Sequence, residues 1–246
     1  MKNSACCVLG HILGRLLTAA VLGAASLPVA AGEVQVAVAS NFAAPMQRLA
    51  ADFARASGHT AVLAFGASGS LYAQVRHGAP FELLLSADEA VPARLQADGL
   101  AVTGSRFTYA VGRLVLWSAD PDRVAGDGAA LLRAARFERL ALANPKLAPY
   151  GAAAVQAMTR LGVLEALRPR FVQGENIAQT HQFVASGNAA LGFVALSQVQ
   201  RAGRLTSGSG WVVPAELHAP IRQDAVLLAR GADNPAATAL LAYLRS

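Results

Sequence analysis

The chain has 246 residues, 54% of them apolar and 15% charged, with 21 bases against 15 acids and two cysteines. That length allows one large domain or two small ones, each with a sizeable core. The arginines are scattered, without the clustered basic patch and interleaved aromatics of a nucleic-acid interface, so that class is set aside.

The chain opens with "MKNSACCVLGHILGRLLTAAVLGAASLPVAA" over residues 1–31. Lys2 and Arg15, no acid, an apolar run from Leu16 and small residues at its end follow the order of a cleaved secretory signal peptide. Pro28 and the Ala/Gly content make the run weak for a membrane span of about 20 residues. We therefore expect cleavage near Ala31 and a soluble, exported protein. Cys6 and Cys7 both fall in this leader, ahead of its apolar run. The mature chain then has no disulfide, no thiolate nucleophile and no cysteine metal site.

Short apolar runs alternate with helical patterns from there on. "EVQVAVAS" (33–40) reads as a buried strand, and Met46, Leu49, Ala50 and Phe53 recur at helical spacing before Gly58. Strand 61–66, helix 70–78, strand 81–88 and a helix around 89–98 follow. This β-α-β-α-β order predicts a mostly parallel sheet covered by helices. "RFTYAVGRLVLWSA" (106–119) reads as one long strand, and "DPDRVAGDGAA" as turns. A second alternating set runs through strand 139–144, helix 150–162, strand 170–175, helix 176–186, strand 189–196 and a further helix. Strands 211–216 and 221–231 come next, then a helix opening at "DNP", with Asp233 or Asn234 as cap and Pro235 in its first turn.

Two such sets, with a final strand and helix able to rejoin the first, predict two lobes. The expected boundaries are 32–108 plus 222–246 for lobe I and 109–221 for lobe II, with the long runs 106–119 and 219–230 crossing between them. A cleft between lobes is a natural place for a small ligand, as are the carboxyl ends of strands in open α/β sheets.

Four strand-to-helix junctions stand out: "ASNF" (39–42), "GASGS" (66–70), "NPKLAPYG" (144–151) and "GENIAQ" (174–179). Helix N-termini present unpaired N–H groups and partial positive charge, so they bind anions without Lys or Arg. Ser40, Asn41, Ser68, Ser70 and Tyr150 could add side-chain donors. Ordinary N-capping by Ser and Asn is the alternative at each junction.

Enzyme motifs are not met. "GASGS" has Ser70 where the nucleophile elbow G-x-S-x-G needs Gly, and it lacks the Lys of a phosphate-binding loop. His59, His77, His181 and His218 show no metal-ligand spacing. His59 and His77 read as surface residues beside helix ends. His181, one helical turn past the fourth junction, is the histidine to watch. Asp88 reads as a helix cap, and Tyr109, Trp117 and Phe193 as core or hinge packing.

The junctions sit in longer stretches that closely resemble the periplasmic molybdate-binding proteins of ABC importers. The matching pieces are "ASNFAAPMQRLAADF", "GASGSLYAQVRHGAPFELLLSADE", "GSRFTYAVGRLVLWSADP", "LALANPKLAPYGAAAVQAM" and "ASGNAALGFVALSQV". They run in family order over nearly the whole mature chain. The resemblance implies a type II periplasmic-binding fold, two α/β lobes joined by two crossing strands, with the ligand in the cleft. It implies a ligand site of hydroxyl and backbone N–H donors: Ser40 and Asn41 from the first junction, Ser68 from the second, Tyr150 from the third and the Ile177 N–H from the fourth. It also implies periplasmic location, and delivery to an ABC permease with its ATPase.

Two departures accompany the resemblance. Ala195 stands where other members carry a Tyr, and Tyr150 is expected to supply the phenol instead. The chain stops at "LLAYLRS", short of the usual family end, which is expected to cost packing on lobe I. The expected activity is capture of molybdate or tungstate by lobe closure, by a monomer without catalytic residues, cofactor or metal-ion ligands. A fully deprotonated dianion offers only acceptors, which suits a pocket of donors. The alternatives are a binder of another small anion, such as sulfate or a carboxylate, or a hydrolase using Ser68.

Overall fold

The computed structural model describes residues 31–246, so the expected leader lies outside them except for Ala31. The first run comprises β1 (Glu33–Ala39), α1 (Ala43–Ser57), β2 (Thr60–Gly66), α2 (Ser68–Arg76), β3 (Leu83–Leu85), α3 (Ala90–Ala97) and β4 (Phe107–Gly112). The second holds β5 (Leu114–Ser118), α4 (Gly128–Ala134), β6 (Leu140–Ala143), α5 (Pro149–Arg160), α6 (Leu164–Leu167), β7 (Phe171–Gly174), α7 (Ile177–Ala185), β8 (Leu191–Ala195) and α8 (Leu196–Val199). It ends with a short hairpin, β9 (Gln200–Arg201) and β10 (Arg204–Leu205), and then β11 (Ser209–Val212). β12 (Ile221–Leu227) and α9 (Pro235–Tyr243) complete the chain.

Two five-stranded sheets result, ordered β2-β1-β3-β12-β4 and β11-β5-β8-β6-β7. β1 pairs in parallel with β2 and β3, and β6 with β7 and β8. The strands at the exchange points, β12 and β5, pair antiparallel. Strand alternation sends Val34, Val36 and Val38 of β1 toward Met46, Phe53 and Leu240, while Ala37 meets Leu71 and Leu95 on the other face. Helices on both faces explain why β1 reads as a nearly unbroken apolar run. The second sheet is built alike, with Leu140, Leu142 and Phe193 facing Met158 of α5, and Ala141 and Val194 facing Val184 of α7.

The long strand expected over 106–119 is two strands in different sheets. β4 stays with β12 in the first sheet as far as Gly112, and the chain passes to the second sheet at Arg113. Sheet membership therefore changes after residue 112 rather than at the expected 108/109 boundary. The return passes through residues 213–220 into β12. Two helices, α4 and α6, lie where no helix was expected; each is short, so its apolar periodicity is weak. The helix expected after 196 is a single turn, α8, followed by the hairpin.

His59 corrects another expectation. It is buried, 5% exposed, and its Nδ1 accepts the Gly32 N–H at 3.0 Å. Gly58 in the left-handed conformation (φ 75°) ends α1 and turns the ring inward beside Phe53. Asn234 caps α9, accepting the Ala236 N–H at 2.9 Å. The last turn is packed: Tyr243 lies 5.6 Å from the Phe53 ring and Arg245 4.6 Å over Phe107. Among the described residues no helix is long and apolar enough to cross a membrane.

α5 approaches β6 closely at Gly151. A Cβ there would run into the Ala143 carbonyl, 2.8 Å from its carbon. Because the obstacle is backbone, Gly151→Ala should destabilise the fold by about 1–2 kcal/mol or more, the cost of overpacking a core. Urea denaturation would read this as a lower midpoint at unchanged slope.

Candidate functional site

All four junctions lie at the carboxyl ends of parallel strands. Ser40 and Asn41 begin a 3-10 turn (Ser40–Phe42) directly after β1, and Ser68 opens α2 just after β2. Tyr150 lies in the first turn of α5 after β6, and Ile177 opens α7 after β7. Capping accounts for one of these starts only. Asn176 caps α7, accepting the N–H groups of Ala178 and Gln179 at 2.9 and 3.1 Å. The 3-10 turn, α1, α2 and α5 have no side-chain cap. Their first N–H groups, and that of Ile177, have no intrahelical acceptor.

The structure brings all five expected residues to one cavity. Ser40, Asn41, Ser68, Tyr150 and Ile177 line it, with Ala39, Gly66, Ala67, Ala87, Ala148 and Pro149 completing the wall. All five are buried, none more than 6% exposed. The cavity measures about 10 Å³, room for roughly one water-sized sphere. No charged or titratable side chain other than the Tyr150 phenol lines it.

The hydrogen bonds decide which protons are free. Ser68 Oγ accepts the Ala87 N–H at 2.9 Å, which leaves its own proton available. Ser40 Oγ donates to the Gly66 carbonyl at 3.0 Å, so its proton is engaged until the hydroxyl turns. Asn41 Nδ2 donates to Gln223 Oε1 at 2.8 Å, while Asn41 Oδ1 is buried without a partner. Tyr150 Oη accepts from Gln223 Nε2 at 3.1 Å. Burial raises the Tyr150 hydroxyl well above the ordinary tyrosine value, so it keeps its proton and remains a neutral donor.

The site also joins the two lobes. Ser40, Asn41 and Ser68 follow strands of the first sheet; Tyr150 and Ile177 follow strands of the second. Ser197 Oγ donates to the Asn41 carbonyl at 2.7 Å, and the Gly69 N–H donates to the Leu147 carbonyl at 2.9 Å. Gly69 permits that approach, since a Cβ would stand 3.1 Å from Leu147 Cα. Ala39, Ala67 and Ala87 of the first lobe join the core of the second. This is a closed arrangement.

His181 does not line the cavity. It stacks on Trp117 at 5.0 Å and borders an adjacent groove with Ser40, Asn41 and Gln179. Burial lowers its pKa below the ordinary value. Asp88 accepts the Val91 N–H at 2.8 Å in the first turn of α3, the expected capping contact. Ser70, the remaining candidate donor, lies outside the cavity wall. Among the described residues no cluster of His, Cys, Asp or Glu is arranged to hold a metal ion.

Gln223, Gly112 and Ser197 were missed in the sequence. Only Gln223 left a trace there: "RQDAV" places three polar residues inside an otherwise apolar strand, and two of them, Gln223 and Asp224, are buried. A buried polar pair needs partners. Asp224 meets Arg106 at 3.1 Å and Thr108 Oγ1 at 2.7 Å, and Gln223 reaches the site. Tyr109 donates to the Ser86 carbonyl at 2.9 Å and also lies 3.1 Å from Gln223 Oε1.

A family model for bacterial extracellular solute-binding proteins matches residues 34–246. The molybdate-binding protein of Azotobacter vinelandii is 55% identical over 233 residues, covering 95% of this chain and 92% of the relative. That of Rhodobacter capsulatus is 52% identical over 233 residues, covering 95% and 90%. Among solved structures, the periplasmic molybdate-binding protein of Azotobacter vinelandii matches with a TM-score of 0.83 at 41% identity, over 87% of this chain and 93% of that one. A sulfate-binding protein of Mycobacterium tuberculosis shares the fold, with a TM-score of 0.64 at 15% identity, over 87% and 82%. The two-lobed α/β architecture is the type II periplasmic-binding fold that the resemblance implied. The chain belongs to the bacterial extracellular solute-binding proteins, and within them to the family of the molybdate-binding proteins.

Proposed function

We propose that this protein captures molybdate, and tungstate with it, in the periplasm and delivers it to an ABC permease and its ATPase. The observation that carries the reading is the lining of the closed cavity. Ser40, Asn41, Ser68, Tyr150 and the Ile177 N–H surround it with donors, and no carboxylate, Lys or Arg lies in its wall. A fully deprotonated tetrahedral dianion has acceptors on every side and matches such a wall. The close molybdate-binding relatives support the choice of ion.

Closure is ligand-linked in this reading. Each lobe alone supplies part of the donor set, so only the closed form surrounds every oxygen, and the anion shifts the population toward it. In this reading the lobes follow the sheets, residues 32–112 with 221–246 and 113–220; the membership of β4 and β12 in the first sheet supports these bounds. The protein works as a monomer, exported behind the leader at 1–31. Ser68 acts as a donor, not a nucleophile, since no base stands in the cavity wall and its Oγ accepts from Ala87 N–H.

Calorimetric titration with molybdate, tungstate, sulfate and phosphate tests this. Molybdate and tungstate should bind tightly and with similar affinity, and phosphate, which keeps a proton near neutral pH, should bind weakly. Tight sulfate binding with no response to molybdate would sink the reading.

A further inference from the structure

Gln223 lies behind the cavity wall and outside the set of expected donors. It is 2% exposed, in β12 of the first lobe, beside a register shift between Gln223 and Asp224. Gln223 pairs with Ala110 and Asp224 with Thr108, which leaves Tyr109 as the extra residue of a bulge in β4. The bulge aims Tyr109 at Gln223, where its hydroxyl stands 3.1 Å from Oε1. Oε1 also accepts from Asn41 Nδ2 at 2.8 Å. With its oxygen held by Asn41, the carboxamide turns its nitrogen toward Tyr150 Oη, 3.1 Å away in the second lobe.

The direction of that last bond matters. A phenol carries one proton and can also accept. If Tyr150 gave its proton to a neighbouring acceptor, its lone pairs would face the incoming anion and repel it. Gln223 Nε2 occupies the accepting side instead. The proton is then free for the cavity. We propose that Gln223 is the positioning residue of this site: it donates to Tyr150 across the closed lobes and so fixes the phenol as a donor to the bound anion. The inference rests on the reading of the cavity as an oxyanion site. Because Gln223 and Tyr150 belong to different lobes, the bond exists only when they are closed, and it ties closure to donor polarity.

The test is molybdate titration of the full mature chain and its variants Gln223→Met, Gln223→Glu, Tyr150→Phe and the double variant Q223M/Y150F, with folding checked by circular dichroism. Gln223→Met keeps the side-chain length and removes the donor, and should weaken binding about tenfold, as the loss of a buried hydrogen bond does. Gln223→Glu keeps the shape but its carboxylate only accepts; it draws the phenol's hydrogen bond away from the cavity, adds a like charge, and should weaken binding more than Gln223→Met. In the Tyr150→Phe background, Gln223→Met should change affinity by a clearly smaller factor than in the parent, the remainder reflecting the acceptor lost to Asn41 Nδ2, because interacting residues are not additive. A purely structural role would give the same factor in both backgrounds, and that result overturns the proposal, as does wild-type affinity in Gln223→Met. Gln223→Glu decides the matter if Gln223→Met does not fold, with wild-type affinity again the overturning result. Failure of the unsubstituted protein to bind molybdate would instead remove the reading of the cavity.

Discussion

Gly112→Ala should cut molybdate affinity by about 100-fold or more while leaving a folded protein. Gly112 ends β4 at the point where the chain leaves the first sheet. A Cβ on it would overlap the Tyr150 hydroxyl and lie 2.6 Å from Gln223 Nε2. Real side-chain carbons do not tolerate such approaches, so one of the three groups has to move. Gln223 is in the same lobe as Gly112 and its flexible carboxamide can swing aside; the Tyr150 ring, approached at both hydroxyl and ring carbon, belongs to the other lobe. An open molecule accommodates the methyl; the closed one does not. The cost therefore falls on closure, and on the binding that depends on it. Differential scanning calorimetry without ligand should show a melting temperature near that of the parent. Adding molybdate should raise the parent's melting temperature and leave the variant's almost unchanged. A variant that binds as the parent does would mean that Tyr150 need not occupy its observed position.

Tyr150→Phe is expected to weaken molybdate binding by about 1–3 kcal/mol, the range for a hydrogen bond to a charged partner. That is roughly five- to 150-fold in Kd, at 1.4 kcal/mol per factor of ten. Tyr150 is 3% exposed, so its hydroxyl cannot exchange a lost partner for water in the closed state. Burial keeps the phenol protonated, and it donates across the neutral pH range without a titration of its own. Removing it deletes one donor and strands Gln223 Nε2 without its acceptor. Calorimetric titration at constant ionic strength checks the value, and unchanged affinity would take Tyr150 out of the site.

The fold was largely legible because its signals are local. The runs at 33–40 and 61–66 are strands, and the spacing of Met46 and Phe53 marks a helix, since covered parallel strands are apolar throughout and amphipathic helices are not. The long run 106–119 was misread for a physical reason. Phe107–Gly112 and Leu114–Ser118 are both strands, and no residue pattern shows that Arg113 separates two sheets. His59 was misread because Gly58 signals the end of a helix but not where the next residue points.

Sequence by itself determined that helix starts rich in small polar residues follow strand ends, and the family likeness attached Ser40, Asn41, Ser68, Tyr150 and Ile177 to one ligand. Those are properties of short stretches, carried by residue type and spacing. Tertiary structure decided that the five share a single cavity, that most of these helix starts lack a side-chain cap, and which hydroxyl protons are free. It alone brought Gly112 and Gln223 against Tyr150, residues tens of positions apart in the chain. Direction of a hydrogen bond depends on every partner around it, and those partners come together only when the two sheets close on each other.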